Sequence, residues 1–307
     1  MGAFWLALRE VDFGEAARLA GEARAGWLAA AGLAVLVSYL AKGLRWRVLL
    51  GAGEAGWGEV YAYFFAGQLV NLIVPGRLGD LGRAYGLGGR GAGRTFALGT
   101  VVVEKLLDAG MFGAWVLVLA VWMPLPDWAG SPLWGLAAAG AAALGLLGLA
   151  AISWDALAGR LGRAADRLPG RWGARLLEGL ESLAVFRRRA DRGRLAALTV
   201  LIWGAAWGVN HLVFRAFGWA LPGEASLFLL VALQVGFSAM VTPGALGVFE
   251  LLAVLALGVF GVGEAEAFGY GVVLHAVVLA PVIALGLGSL AGIGWLRARR
   301  ATPGGEA

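Results

Sequence analysis

Cysteine is absent from all 307 residues, which excludes disulfides and thiolate metal sites. Histidine is nearly absent. His211 and His275 stand alone in apolar stretches, without H-E-x-x-H or comparable metal spacing, and read as hydrogen-bonded interior histidines. Charge is sparse: Asp, Glu, Lys and Arg make up 15% of the chain, against about 25% in a soluble domain. Strict apolar/polar alternation is missing, which argues against β-barrel spans. The Gly-rich stretch Gly88–Gly93 lacks the G-K-[ST] ending and preceding strand of a P-loop, so no nucleotide site is expected there. Neither an Asp-x-Asp metal pair nor a nucleophile–histidine pair occurs, so no catalytic residue, metal or cofactor is assigned. No cleavable leader is read at Met1–Glu10, because Arg9, Glu10, Asp12 and Glu15 follow its apolar start at once.

What the chain does have is apolar length. Hydrophobic residues make up 60%, mean hydropathy is +0.77, and the apolar residues come in long runs, Gly26–Leu40, Phe96–Val103, Met111–Met123, Leu133–Ile152, Leu195–Val209 and Gly269–Leu290. With their flanks, several reach the roughly 20 apolar residues a spanning helix needs. Fifty-one glycines suit close helix packing in lipid, and fourteen tryptophans suit interfacial anchoring.

Charge placement predicts topology. The first span, about 26–44, ends at Lys42, Arg45 and Arg47, which places that end in the cytoplasm. Residues 154–194 hold ten Arg against five Asp/Glu, a surplus of five, equal to the net charge of the whole chain, +5. They are expected to be cytoplasmic. Leu157, Leu161, Ala164 and Leu168, then Trp172, Leu176, Leu180 and Leu183, recur at helical spacing, with Pro169-Gly170 between. The pattern predicts a basic amphipathic helix pair on the anionic leaflet. Residues 123–132 read as an external loop, the last span ends at a cytoplasmic C-terminus, and 301–307 read as a disordered tail.

Two segments then stand out. Pro75-Gly76-Arg77-Leu78-Gly79-Asp80 and Pro243-Gly244-Ala245-Leu246-Gly247-Val248-Phe249-Glu250 each interrupt an apolar stretch, follow a glutamine (Gln68, Gln234) and end on a carboxylate. Basic residues flank both sides of the first, and none lies near the second. The expected fold is therefore an all-α polytopic membrane protein in one integral domain. It comprises two inverted repeats, about 26–153 and 195–296, each with a re-entrant helical hairpin broken at Pro-Gly.

Chemistry gathers at the breaks. Asn71, Arg77, Asp80 and Arg83 surround the first, and arginine suits bidentate phosphate recognition. Glu104, Lys105 and Asp108 lie inside the next span, with the two acids four apart on one helix face. Ionisable residues in a span normally face the bundle interior with a partner. Arg77 and Arg83 can pair with these acids in an internal lock, or hold a phosphate. Glu250 is expected to point inward from the second break. Gln68, Gln234 and Thr242 rank lower as lining residues. The candidate ligand-binding set is Asn71, Arg77, Asp80, Arg83, Glu104, Lys105, Asp108 and Glu250. The structural breaks are Pro75, Gly76, Gly79, Pro243, Gly244 and Gly247.

At these residues the chain resembles the flippase-like family, the membrane region of lysylphosphatidylglycerol synthases and their stand-alone relatives. The resemblance rests on Arg45-Trp46 with Leu49-Leu50; on Asn71, Pro75, Arg77, Gly79, Asp80 and Arg83; on Glu104 with Asp108; and on Pro243, Gly244, Gly247 and Glu250. Asp80 stands where the family has Glu, and Ala245 where it has Gly. Relatives carry one more span before Val11, of which Phe4–Leu8 would be the remnant. No soluble aminoacyl-transfer domain follows Arg300, so the resemblance does not imply lipid aminoacylation. It implies movement of a polar lipid headgroup between leaflets of the cell membrane. Partners would be phosphate-bearing lipids and the anionic leaflet, with no nucleic acid and the oligomeric state open. The residues also leave open an intramembrane enzyme or accessory protein of polyprenyl-phosphate glycan synthesis, and a small-solute or ion transporter.

Overall fold

The computed structural model describes residues 14, 18, 21–51, 55–74, 76–89, 93–238 and 243–301. Pro75, Thr242, Phe4–Leu8 and the tail beyond Ala301 lie outside the described residues. Those described are helical throughout, without strands. The α-helices are α1 (Ala25–Leu50), α2 (Trp57–Ile73), α3 (Leu78–Gly88), α4 (Arg94–Trp122), α5 (Asp127–Ala165), α6 (Trp172–Glu181), α7 (Arg189–Ala216), α8 (Gly223–Ser238), α9 (Val248–Gly258) and α10 (Glu264–Ala301). Short 3-10 turns cover Ser182–Arg187 and Pro243–Ala245.

Among the described residues, four helices are long and apolar enough to cross a membrane: Ala25–Leu50, Asp127–Trp154, Arg189–Ala216 and Glu264–Gly294. Their outer faces could not stay in water. Leu33 is 63% exposed, Ile152 84% and Leu287 57%, and Val121 on α4 is 83% exposed. Large apolar side chains this exposed on helices of this length belong in lipid.

Two boundaries differ from expectation. α5 starts at Asp127 rather than Leu133, so most of the expected 123–132 loop is helix. The Pro126 carbonyl accepts from the Ala129 and Gly130 N–H groups, both at 2.9 Å, and Pro132 is accommodated within the opening turns. At the other end α10 runs on to Ala301, the first residue of the expected disordered tail. The predicted exit of the α5 span at Ser153 is matched by a break in helical geometry there (φ −126°, ψ 29°).

Each Pro-Gly segment separates two short helices that pack on one another, α2 with α3 and α8 with α9. At 1.5 Å per residue, α2 and α8 are about 25 Å long and α3 and α9 about 16 Å, short of the roughly 30 Å hydrocarbon core. Side-chain neighbours show α2 and α3 to be antiparallel. Gly67 meets Gly79 near the turn, and Tyr63 lies over Gly86 further away.

The chain divides into two compact units, each assembled from three stretches. One holds Gly43–Glu104, Leu149–Leu195 and Val282–Ala307, and contains the α2–α3 hairpin. The other holds Met1–Lys42, Lys105–Gly148 and Ala196–Pro281, and contains the α8–α9 hairpin. The core of this second unit packs Phe112, Trp203, Phe214, Phe228, Phe249 and Tyr270. Several of its buried polar groups are hydrogen-bonded to one another. Tyr270 Oη donates to the Asn210 carbonyl (3.0 Å), Asn210 Nδ2 to the Ser226 carbonyl (3.0 Å), and Trp207 Nε1 to Ser226 Oγ (2.7 Å).

Candidate functional site

The first centre grows out of a close backbone crossing. A Cβ at Gly79 would run into the Gly67 carbonyl oxygen and lie 2.8 Å from Asn71 N and Oδ1. With glycine at both positions α2 and α3 touch, and Asn71 Oδ1 accepts from the Asp80 N–H at 3.1 Å. The turn itself is left-handed: Gly76 has φ 81°, and Arg77, the N-cap of α3, has φ 55° and ψ 35°. That conformation is unfavourable for a residue with a Cβ. Asp80 sits in the first turn of α3, where the helix dipole favours an acid.

One turn on, Arg83 is 3% exposed. Its Nε donates to Asp80 Oδ1 at 3.2 Å and one Nη donates to Glu104 Oε2. The guanidinium lies over the Trp46 ring, 4.4 Å from its centroid, with Phe64 at 5.4 Å. Trp46 is fixed in turn by its Nε1, which donates to Thr100 Oγ1 (3.0 Å), whose hydroxyl donates to the Ala97 carbonyl (2.7 Å). Asp80, Arg83, Thr100 and Glu104 are all buried. Arg83 Nη1 has no hydrogen-bond partner among the described residues.

Of the two alternatives open for Arg83, the structure shows the internal lock. Arg77 differs: half-buried at the turn, its side chain makes no ion pair among the described residues. The expected cluster of Glu104, Lys105 and Asp108 divides. Glu104 joins Arg83, whereas Asp108 belongs to the other unit, where its Oδ1 accepts from Trp203 Nε1 at 2.9 Å. Trp203 packs edge-on against Phe112 (4.4 Å), and Lys42 Nζ lies 4.9 Å from the centroids of Tyr39 and Trp203.

The second centre is Glu250. The break before it runs through three left-handed residues, Gly244 (φ 64°), Ala245 (φ 55°) and Gly247 (φ 83°). Glu250 Oε2 accepts from the Gly247 N–H at 2.7 Å, capping the start of α9. Its Oε1 is 2.7 Å from His275 Nδ1, and the His275 ring stacks on Phe249 with centroids 4.2 Å apart. Glu250 and His275 are both buried. The expectation of an interior, hydrogen-bonded histidine holds for His275. Its pairing with Glu250 was not read from the sequence, since 25 residues separate them and no spacing rule joins positions on different helices. No group of three or more His, Asp or Glu positioned to hold a metal occurs among the described residues.

Long apolar helices with exposed apolar flanks, around acids and bases buried in ion-paired centres, define a multi-pass helical membrane protein. Comparison with known proteins gives the family. The model for the lysylphosphatidylglycerol synthase transmembrane region matches residues 1–286, and the chain belongs to that family. It is also 27% identical to a protein of Haloferax volcanii named glycosyltransferase AglD, over 91% of this chain and 51% of the relative. The chain thus spans about half the length of that curated relative. No solved structure matches it.

Proposed function

We propose that this protein carries a lipid with a charged, phosphate-bearing headgroup between the leaflets of a cell membrane. The observation behind this reading is the buried Arg83–Asp80–Glu104 centre on a hairpin too short to span the hydrocarbon core. Charge at such depth is costly and is kept where a polar path runs. Half-length helices supply that path by entering and leaving on one side, which makes each hairpin re-entrant. Arg77, without an ion pair among the described residues, and the buried, unpaired Nη1 of Arg83 are the donors a phosphate entering the hairpin would meet. Glu104, Asp108 and Glu250 take the cationic part of a headgroup or a coupling proton. The surplus arginines of 154–194 put that segment and the C-terminus in the cytoplasm. The two hairpins belong to inverted halves of the chain.

The test is reconstitution in liposomes with fluorescent phospholipids and isoprenoid-linked lipids. Wild type should exchange at least one class between leaflets. Arg77→Ala combined with Glu104→Gln, purified as folded protein, should not. Equal exchange by both would refute the reading. The relative's name favours a second function, as an accessory of glycan synthesis acting on a polyprenyl-phosphate sugar. Consumption of such a lipid by the purified protein, without leaflet exchange, would rank it first.

A further inference from the structure

The polar segment between α5 and α7 is anchored at its C-terminal end, while one face of its first turns is left open. Its inner contacts, at that end, meet α4. A Cβ at Gly99 would strike the Gly179 carbonyl oxygen and come within 2.7 Å of Ser182 Oγ, so the two helices touch there. Glu178 Oε1 accepts from the Phe96 N–H at 3.4 Å, an acid placed at the start of α4. Gly173 is buried against the Ala165 carbonyl.

The first turns show the opposite character. Leu168 is 42% exposed, Trp172 61% and Leu176 42%. Arg171 and Arg175 are exposed beside them, and the Arg175 guanidinium lies 5.5 Å from the Trp172 ring centroid. At 100° per residue, Trp172, Arg175 and Leu176 share one face of α6, while Ala174 and Glu181 lie on the opposite one. Arg160 and Arg163 in the last turns of α5, and Arg167 just beyond it, are also exposed. This surface begins where the apolar part of α5 ends, at Trp154, just after the break at Ser153.

We propose that the face made by Leu168, Arg171, Trp172, Arg175 and Leu176 seats on the surface of an anionic leaflet. Its partner is a layer of negatively charged lipid headgroups. Charge complementarity chooses the occupant: a Trp–Leu strip flanked by arginines suits the boundary where acyl chains give way to anionic phosphate. The inner contacts add a consequence. The docked face is fixed to the first turns of α4, the helix that carries Glu104, so leaflet charge bears on the element holding the Arg83 lock. The proposal requires that the chain spans a membrane. It does not require that the chain moves lipid, so failed leaflet exchange would leave it standing.

The lack of cysteine makes the test clean. Leu176→Cys and Glu181→Cys, both at exposed positions, are each labelled with bimane in the full chain and placed in nanodiscs. The nanodiscs contain phosphatidylcholine alone or with phosphatidylglycerol. In anionic nanodiscs the label at 176 should be quenched by doxyl lipid and shielded from iodide, and the label at 181 the reverse. Arg171→Gln and Arg175→Gln should each lower the docked-to-free ratio roughly fivefold, as should high salt acting on both. Equal iodide access at 176 and 181 would overturn the proposal. So would shielding at 176 without doxyl quenching, which would mean a protein contact, or docking that ignores lipid charge and both arginines. Unchanged melting temperatures of the labelled variants confirm that the fold is intact.

Discussion

The Gly67–Gly79 crossing gives the sharpest test of the first hairpin, because α3 carries its own control. In Gly79→Ala the new Cβ would lie 2.8 Å from Asn71 N and Oδ1, and closer still to the Gly67 carbonyl oxygen. Comfortable heavy-atom contact is about 3.5–4.0 Å. In Gly82→Ala, one turn along, the Cβ meets nothing within 4 Å. Both changes gain up to about 1 kcal/mol of helix propensity, which largely cancels in the comparison. What remains is overpacking, about 1–3 kcal/mol, and loss of the Asp80–Asn71 hydrogen bond, about 1 kcal/mol. The two variants should therefore differ by about 2–4 kcal/mol. At about 2–4 °C per kcal/mol for a body of this size, Gly79→Ala should melt about 4–16 °C below Gly82→Ala. The readout is intrinsic tryptophan fluorescence during heating in one detergent. Equal melting temperatures, or a higher one for Gly79→Ala, would refute the crossing and with it the geometry that presents Arg83.

Three further outcomes follow from the two centres. Arg83→Leu leaves Asp80 and Glu104 buried without their cation and should cost about 3–5 kcal/mol; adding Glu104→Leu should recover part of it, as read from melting of the single and double variants. Ala245→Gly relieves a left-handed residue that has a Cβ (φ 55°) and should stabilise by about 0.5–1 kcal/mol, allowing for the greater entropy of the unfolded glycine chain; a lower melting temperature would contradict that backbone. Trp203→Phe and Asp108→Ala should be non-additive in a double-mutant cycle, with a coupling of about 1 kcal/mol for the hydrogen bond they share.

Much of this fold could be read from local signals. Apolar length placed the long helices, the surplus of arginine marked 154–194 as a separate polar segment, and Ser153 ended the span it was expected to end. The Pro-Gly segments announced two helix breaks, and glycine at 79 matched a position where no Cβ fits. The site was legible only in parts. The lock was foreseen as an alternative because ionisable residues within a span need partners, and Arg83 beside the first break was matched with Asp80, Glu104 and Asp108. Asp108 was grouped with Glu104 by helical spacing, yet its partner Trp203 is 95 residues away. His275 was equally out of reach as the partner of Glu250. Such pairs are set by helix packing, which depends on the facing surfaces and leaves no periodic trace in either segment. Pro126 and Pro132 misled for the opposite reason: proline is tolerated in the opening turns of a helix, and composition alone made that stretch look like a loop.

The way the chain is parcelled between its two units has a consequence for biosynthesis. Each unit draws on three separated stretches, so neither can be finished as an early stage of translation. When the ribosome has made residues through Glu250, that acid has its Gly247 cap but not His275. Arg83 meets Glu104 far sooner, while the α2–α3 hairpin still awaits the packing of Gly286 against Leu69. The longest wait is that of Asp108, whose partner Trp203 follows 95 residues later, and a nascent chain stalled before α10 would leave Glu250 without His275 and open to quality control.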